Sequence, residues 1–199
     1  ILDLKQERHA RDIGSGHRIV YGVAGSGKTV LLISRAKLLS QESPESSILM
    51  LCYNVSLAAH LRGVLEGVEN VAVHHFDGWA KANGCSRGNA DGGGLESDEA
   101  LGTRLRGRLQ DGQKDSRRYD AVFIDEAQDF DPTWFQCVLE AMKDPNDGDL
   151  LIVGDRQQGI YKAKSVVWSS VGIKAKGRTI HAAFDLDKNY RNSREILQL

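Results

Sequence analysis

The chain has little cysteine and little proline, three of each in 199 residues. Cys52, Cys85 and Cys137 are widely spaced and form no C-x-x-C pair. That argues against a disulfide framework and a zinc site, and fits a reducing cytoplasm with buried free thiols. The six histidines show no metal-ligand spacing either. No apolar run approaches the length of a membrane span and no signal peptide opens the sequence, so no membrane partner is expected. Formal net charge is −1, so there is no bulk positive field to attract nucleic acid. Any such contact has to be a local groove. The apolar fraction of 41 % and the charged fraction of 27 % are those of an ordinary globular domain. The length allows one large domain, or one domain and part of another. With Ile1 at one end and Leu199 inside a helical-looking stretch at the other, the chain reads as a piece of a longer protein.

What the sequence does contain is led by Gly22-Val23-Ala24-Gly25-Ser26-Gly27-Lys28-Thr29, a G-x-x-x-x-G-K-[ST] phosphate loop. Arg18 to Tyr21 before it reads as a strand, and Val30 to Leu39 after it has helical spacing. Strand, glycine loop, helix is the context the motif needs. Gly22, Gly25, Ser26 and Gly27 allow successive N–H groups to turn towards a phosphate at a helix N-terminus. Lys28 would reach the β- and γ-phosphates, and the Thr29 hydroxyl would ligate Mg²⁺. The alternative, a flexible glycine turn, does not account for the flanking strand and helix. A nucleoside triphosphate with Mg²⁺ is the expected ligand.

Further along, Ser47–Tyr53, Val71–Val73, Ala121–Ile124 and Leu150–Val153 are short apolar runs, as strands covered on both faces should be. Helical patterns separate them: one opens after Asn54, a potential cap, and others run over Phe76–Ala82, Ser97–Leu109 and Trp134–Met142. This alternation predicts an α/β fold, a doubly wound and mostly parallel sheet with helices on both faces. Such sheets bind ligands at the carboxyl ends of their strands. Gly84 to Gly94 holds five glycines among polar residues and is expected to be a loop that packs no core. Arg104, Arg106 and Arg108 read either as a solvated helix face or as a nucleic-acid contact.

Asp125-Glu126-Ala127-Gln128 directly follows the strand at 121–124. A carboxylate there suits Mg²⁺, which assigns Asp125 to the metal. Glu126 can accept the proton of an attacking water, a contribution of about 10²- to 10⁴-fold. Read alone, the pair is also an acidic turn before the next helix. Gln158, after the strand at 150–153, can hydrogen-bond the γ-phosphate or the water. Arg191, in Asn189-Tyr190-Arg191-Asn192, can stabilise charge on the transferring group.

Together these segments resemble superfamily 1 helicases of the UvrD/Rep type, nearly end to end. Gly22–Thr29 is similar to their motif I, Leu51-Cys52-Tyr53-Asn54 to motif Ia and His75-Phe76-Asp77-Gly78-Trp79 to a strand-contacting segment. Asp125–Gln128 is similar to motif II, Gly154–Gln158 with Ile160-Tyr161 to motif III, and Lys188–Asn192 to motif IV. The resemblance implies a RecA-like P-loop NTPase. It also implies that Gln6 reads the adenine and that Tyr190 stacks near the base. Asn54, His75, Phe76 and Tyr161 would then lie along single-stranded DNA. Residues 1–178 would form the ATP-binding domain, with a reduced 1B-like insertion around 84–118, and 179–199 would begin a second RecA-like domain. The implied activity is ATP-driven movement on single-stranded DNA, 3′ to 5′, in company with the remaining helicase domains of the same chain. Two departures point elsewhere. Asp77 stands in place of the usual His and would repel a DNA phosphate, and Ala163 replaces a stacking aromatic. A nucleotide-dependent switch without translocation, or an RNA-directed helicase, are the alternatives. The motif that supplies an arginine finger, worth about 10³- to 10⁵-fold, is not among these residues. The isolated 199 residues are therefore expected to bind Mg·ATP with little turnover. Vigorous DNA-stimulated phosphate release in a steady-state assay would contradict this.

Overall fold

The computed structural model describes residues 8, 10–22, 25–90, 93–112, 119–155, 166–174 and 179–181. Strand β1 (His17–Gly22) leads through the glycine loop into helix α1 (Lys28–Glu42). Then come β2 (Ile48–Cys52), α2 (Val55–Val64), β3 (Val71–His75) and α3 (Phe76–Ala82). A small antiparallel hairpin pairs β4 (Asn89–Ala90) with β5 (Gly94–Leu95) and precedes α4 (Asp98–Asp111). The chain continues with β6 (Ala121–Ile124), α5 (Pro132–Ala141), β7 (Asp149–Asp155) and β8 (Thr179–His181). Among the described residues, no helix is long and apolar enough to cross a membrane.

The main sheet has the order β3-β2-β6-β7-β1-β8, and every pairing in it is parallel. β2 is buried at every position, which is why its sequence is a continuous apolar run and not an alternating one. Alternate strand residues feed two cores. Val20, Met50, Phe123 and Val153 face Leu32 of α1 and Leu61 of α2. Ile19, Leu51 and Ile152 face Phe76, Leu105 and Phe135 of α3, α4 and α5. The doubly wound architecture read from the sequence is the one observed.

Local signals set the helix starts. The Asn54 side chain accepts from Ser56 N at 2.7 Å and Leu57 N at 3.4 Å, the capping geometry its position suggested. Ser97 and Asp131 cap α4 and α5 in the same way, and Pro132 at the opening of α5 gives up an N–H that would have no partner there.

The expectation for 84–94 fails at the start of the stretch, from Cys85 to Gly88. Cys85 is buried in the core, and Arg87 reaches Asp77, Asp98 and the Glu96 carbonyl at 2.7–2.9 Å. Arg104 grips Glu96 through two bonds of 2.6 and 2.7 Å and also meets the Ser86 carbonyl. With the Gly88 N–H these hold the Glu96 carboxyl down at about 2. Glycine content concealed a segment tied down by arginines from both sides. The boundary expected between 178 and 179 falls just before β8, which pairs with β1 and so extends the first sheet.

Helices α4 and α5 meet at Gly102, where a Cβ would lie 2.0 Å from Thr133 Oγ1 and 2.8 Å from Trp134 Cδ1. Cys137 donates to the Gly102 carbonyl across the same contact. Gly102→Ala is therefore expected to force the helices apart and cost about 1–3 kcal/mol. A denaturant melt of the purified variant checks this, and an unchanged midpoint would refute it.

Candidate active site

The strand carrying the glycine loop and the strand carrying the acidic pair are not neighbours. β7 runs between them, paired with β1 on one side and β6 on the other. Three strand tips therefore meet at one end of the sheet: Gly22 of β1, Asp155 of β7 and the turn after Ile124 of β6. The register aligns Gly22 with Asp155.

Gly25 and Gly27 hold φ values of 78° and 89°, a conformation that glycine adopts without a Cβ clash. Gly27 sits at the start of α1, where its carbonyl accepts from Leu31 N. The Ser26 hydroxyl is wholly buried and finds no hydrogen-bond partner among the described residues. An orphaned hydroxyl inside a curled loop at a helix N-terminus fits an anionic guest with acceptor oxygens.

Lys28 is buried, and its ammonium donates to the Gly22 carbonyl at 3.1 Å and to Asp155 Oδ1 at 2.5 Å. Both members of that ion pair are more than nine-tenths buried. The Thr29 hydroxyl donates to Asp125 Oδ2 at 2.7 Å, and Asp125 Oδ1 accepts from Glu126 N at 2.8 Å. A hydroxyl and a carboxylate side by side are hard oxygen donors of the kind Mg²⁺ prefers. Lys28, Thr29, Asp125 and Glu126, each given a role at the nucleotide from the sequence, lie at the same edge. Glu126 takes a left-handed backbone conformation (φ 52°, ψ 43°), uncommon for a residue with a side chain. Gln128 donates from Nε2 to Glu126 Oε2 and accepts at Oε1 from Asp155 N at 3.0 Å.

Other predicted residues lie elsewhere. Phe76 is not at a surface: its ring is buried in the core, stacked on Trp134 with centroids 3.8 Å apart. No face is left for a base, so its strand-contact assignment is corrected to a core role. His75, at the tip of β3, keeps a buried Nδ1 without a partner among the described residues. Asn54 is exposed, and its side-chain oxygen is engaged by the cap. Asp77 does not stand as a bare charge. Arg87 neutralises it with two bonds of 2.7 Å, which removes the repulsion expected of it. Arg106 and Arg108 bond Gln136, Glu140 and the Asn83 carbonyl. With Arg104 on Glu96, all three arginines of α4 serve structure. Gln6, Gln158, Tyr161, Ala163, Tyr190 and Arg191 lie outside the described residues. Asp155 and Gln128 had no assigned role in the sequence. The signal for Asp155 was its position as the first polar residue after a buried apolar run, which by itself reads only as a turn.

A family model described as an AAA domain (AAA_19) matches residues 6–164. The chain belongs to this AAA domain family. Among solved structures, the AAA domain is similar to the Pif1 helicase from Candida albicans, at 20 % identity and a TM-score of 0.53. That match covers 100 % of this chain and 43 % of the other. A Bacteroides Pif1 bound to ssDNA matches at 16 % identity and a TM-score of 0.48, over 100 % of this chain and 44 % of that one. The AAA domain thus spans less than half the length of the solved chains it matches. No curated protein matches it in sequence. The fold it shares with the first of these is the RecA-like P-loop arrangement, a parallel sheet with helices on both faces.

Burial pushes the Asp125 carboxyl up to about 6, with the nearby Glu126 charge adding to the rise and the Thr29 hydroxyl opposing it. A carboxyl raised in the folded state binds its proton more tightly there than in the unfolded chain. The stability it confers is complete below an ordinary aspartate pKa and is lost as pH rises through about 6. Asp125→Asn removes that loss. In the absence of nucleotide and metal, the variant is expected to melt above the parent at pH 7–8, with the gap closing below about pH 4. A pH series of thermal melts checks this, and a gap independent of pH would contradict it.

Proposed function

We propose that this chain is the ATP-binding core of an ATP-dependent helicase or translocase acting on single-stranded DNA, related to the UvrD/Rep type. The observation that carries the reading is the convergence of Lys28, Thr29, Asp125 and Glu126 at one edge of a parallel sheet, behind a phosphate loop. The curled loop and the start of α1 bind the β- and γ-phosphates. Lys28 exchanges its contact with Asp155 for one with phosphate. Thr29 and Asp125 hold Mg²⁺, which when bound neutralises phosphate charge. Glu126 takes the proton of the attacking water, Gln158 orients that water, and Arg191 meets the charge on the transferring group. Gln6 and Tyr190 hold the base. Asn54, His75 and Tyr161 face the DNA, and the remaining domains of the full-length protein close over the nucleotide.

Two substitutions separate binding from chemistry in the full-length protein. Lys28→Ala is expected to abolish Mg·ATP binding. Glu126→Gln should keep it while lowering kcat by about 10²-fold or more. Unchanged ATPase in both would remove the mechanism. The UvrD/Rep resemblance implies 3′ to 5′ movement, which duplexes with a single 3′ or 5′ overhang read directly.

One set of observations favours a second reading, a nucleotide-dependent switch that does not translocate. Phe76 is in the core, and the α4 arginines are committed to ion pairs and carbonyls. Salt-titrated binding of single-stranded DNA, with and without a non-hydrolysable ATP analogue, distinguishes the two. Nucleotide-dependent affinity with a steep salt slope supports translocation, and no binding in either state supports the switch.

A further inference from the structure

We propose that Gln128 is a positioning residue that ties the Glu126 carboxylate to the end of β7, so that the tip of that strand sets the orientation of the proton-accepting group. The inference rests on the reading of Glu126 as the general base. Three observations carry it. Gln128 bonds Glu126 with one end of its amide and Asp155 N with the other. A neutral amide is suited to this, because it donates to a carboxylate and accepts from an N–H at the same time. A glutamate there would set like charges together, and an aliphatic side chain would do neither. Gly154, beside Asp155, leaves room for the amide: a Cβ there would lie 3.0 Å from Gln128 Oε1 and 3.6 Å from the Ala127 Cβ. Glu126 is also the single non-glycine residue with positive φ among those described, so its side chain leaves the backbone in an unusual direction and is steered by what it touches.

The arrangement has a mechanical consequence. Asp155 holds Lys28 through its side chain and Gln128 through its backbone N–H. The tip of β7 therefore touches, directly or through one amide, both the ammonium assigned to phosphate and the carboxylate assigned to water. A shift of that tip changes both together.

The test uses the full-length protein and compares Gln128→Met, Gly154→Ala and the double variant. Single-turnover and steady-state ATPase give kcat, and a fluorescent ATP analogue gives nucleotide Kd. Gln128→Met should lower kcat about 10- to 100-fold, the scale of a catalytic group misplaced by about an ångström, with Kd changed less than about twofold. Gly154→Ala, which presses on the same amide, should lower kcat in the same direction. The double variant should be no slower than Gln128→Met alone, because both act through one contact. The proposal is overturned if Gln128→Met leaves kcat intact, if Kd rises in step with the loss of kcat, or if the two effects multiply. Thermal melts accompany each variant. A kcat loss in Gln128→Met matched by a collapse of its melting temperature, with Gly154→Ala stable and fully active, also counts against it. An unaltered full-length protein that hydrolyses no ATP would instead bring down the reading of the site itself, and the inference with it.

Discussion

A buried ammonium must have a counter-ion, and the active edge of this protein is arranged around that requirement. Lys28 and Asp155 are sequestered from water together. Bringing such a pair indoors gains little stability, because desolvation cancels most of the attraction, yet removing one partner alone costs about 3–5 kcal/mol. A pair of this kind is better explained by what can replace one of its members. A triphosphate would offer Lys28 more negative charge than a single carboxylate does, and the buried Ser26 hydroxyl of the same loop has no partner among the described residues. The pair depends in turn on strand order. Only because β7 lies between β1 and β6 does Asp155 come level with Gly22 and within one amide of Glu126.

Much of this was legible in the sequence because the signals were local. The glycine loop has a spacing that chemistry dictates, and the buried strands are short runs with no polar interruption. Asn54 announces its helix by side-chain chemistry alone. Every strand tip that carries an assigned side chain follows such a run, so convergence at the carboxyl edge followed from the fold class. The insertion of β7 between the two motif-bearing strands did not follow. Strand order depends on which faces the crossover helices cover, and no short window of residues records it.

The failures were of a different kind. Phe76 sits beside His75 in a segment that resembles a strand contact, yet its ring is an ideal partner for Trp134 and the core claimed it. Asp77 looked like an exposed repulsive charge because its partner, Arg87, lies in a glycine-rich stretch expected to pack nothing. The arginines of α4, read as a solvated face or a nucleic-acid contact, have partners in Glu96 beside the hairpin, a backbone carbonyl and the side of α5. In each case a contact distant in sequence decided the role, and composition could not show it.

The central claim is that the tips of β1, β6 and β7 surround one magnesium-bound triphosphate. Amide NMR of the uniformly labelled chain during a Mg·ATP titration tests it most directly. Saturable shifts concentrated at residues 25–29, 125–128 and 154–155, all fitting one dissociation constant, are expected. Shifts scattered over other faces, or separate affinities for these three segments, would contradict it.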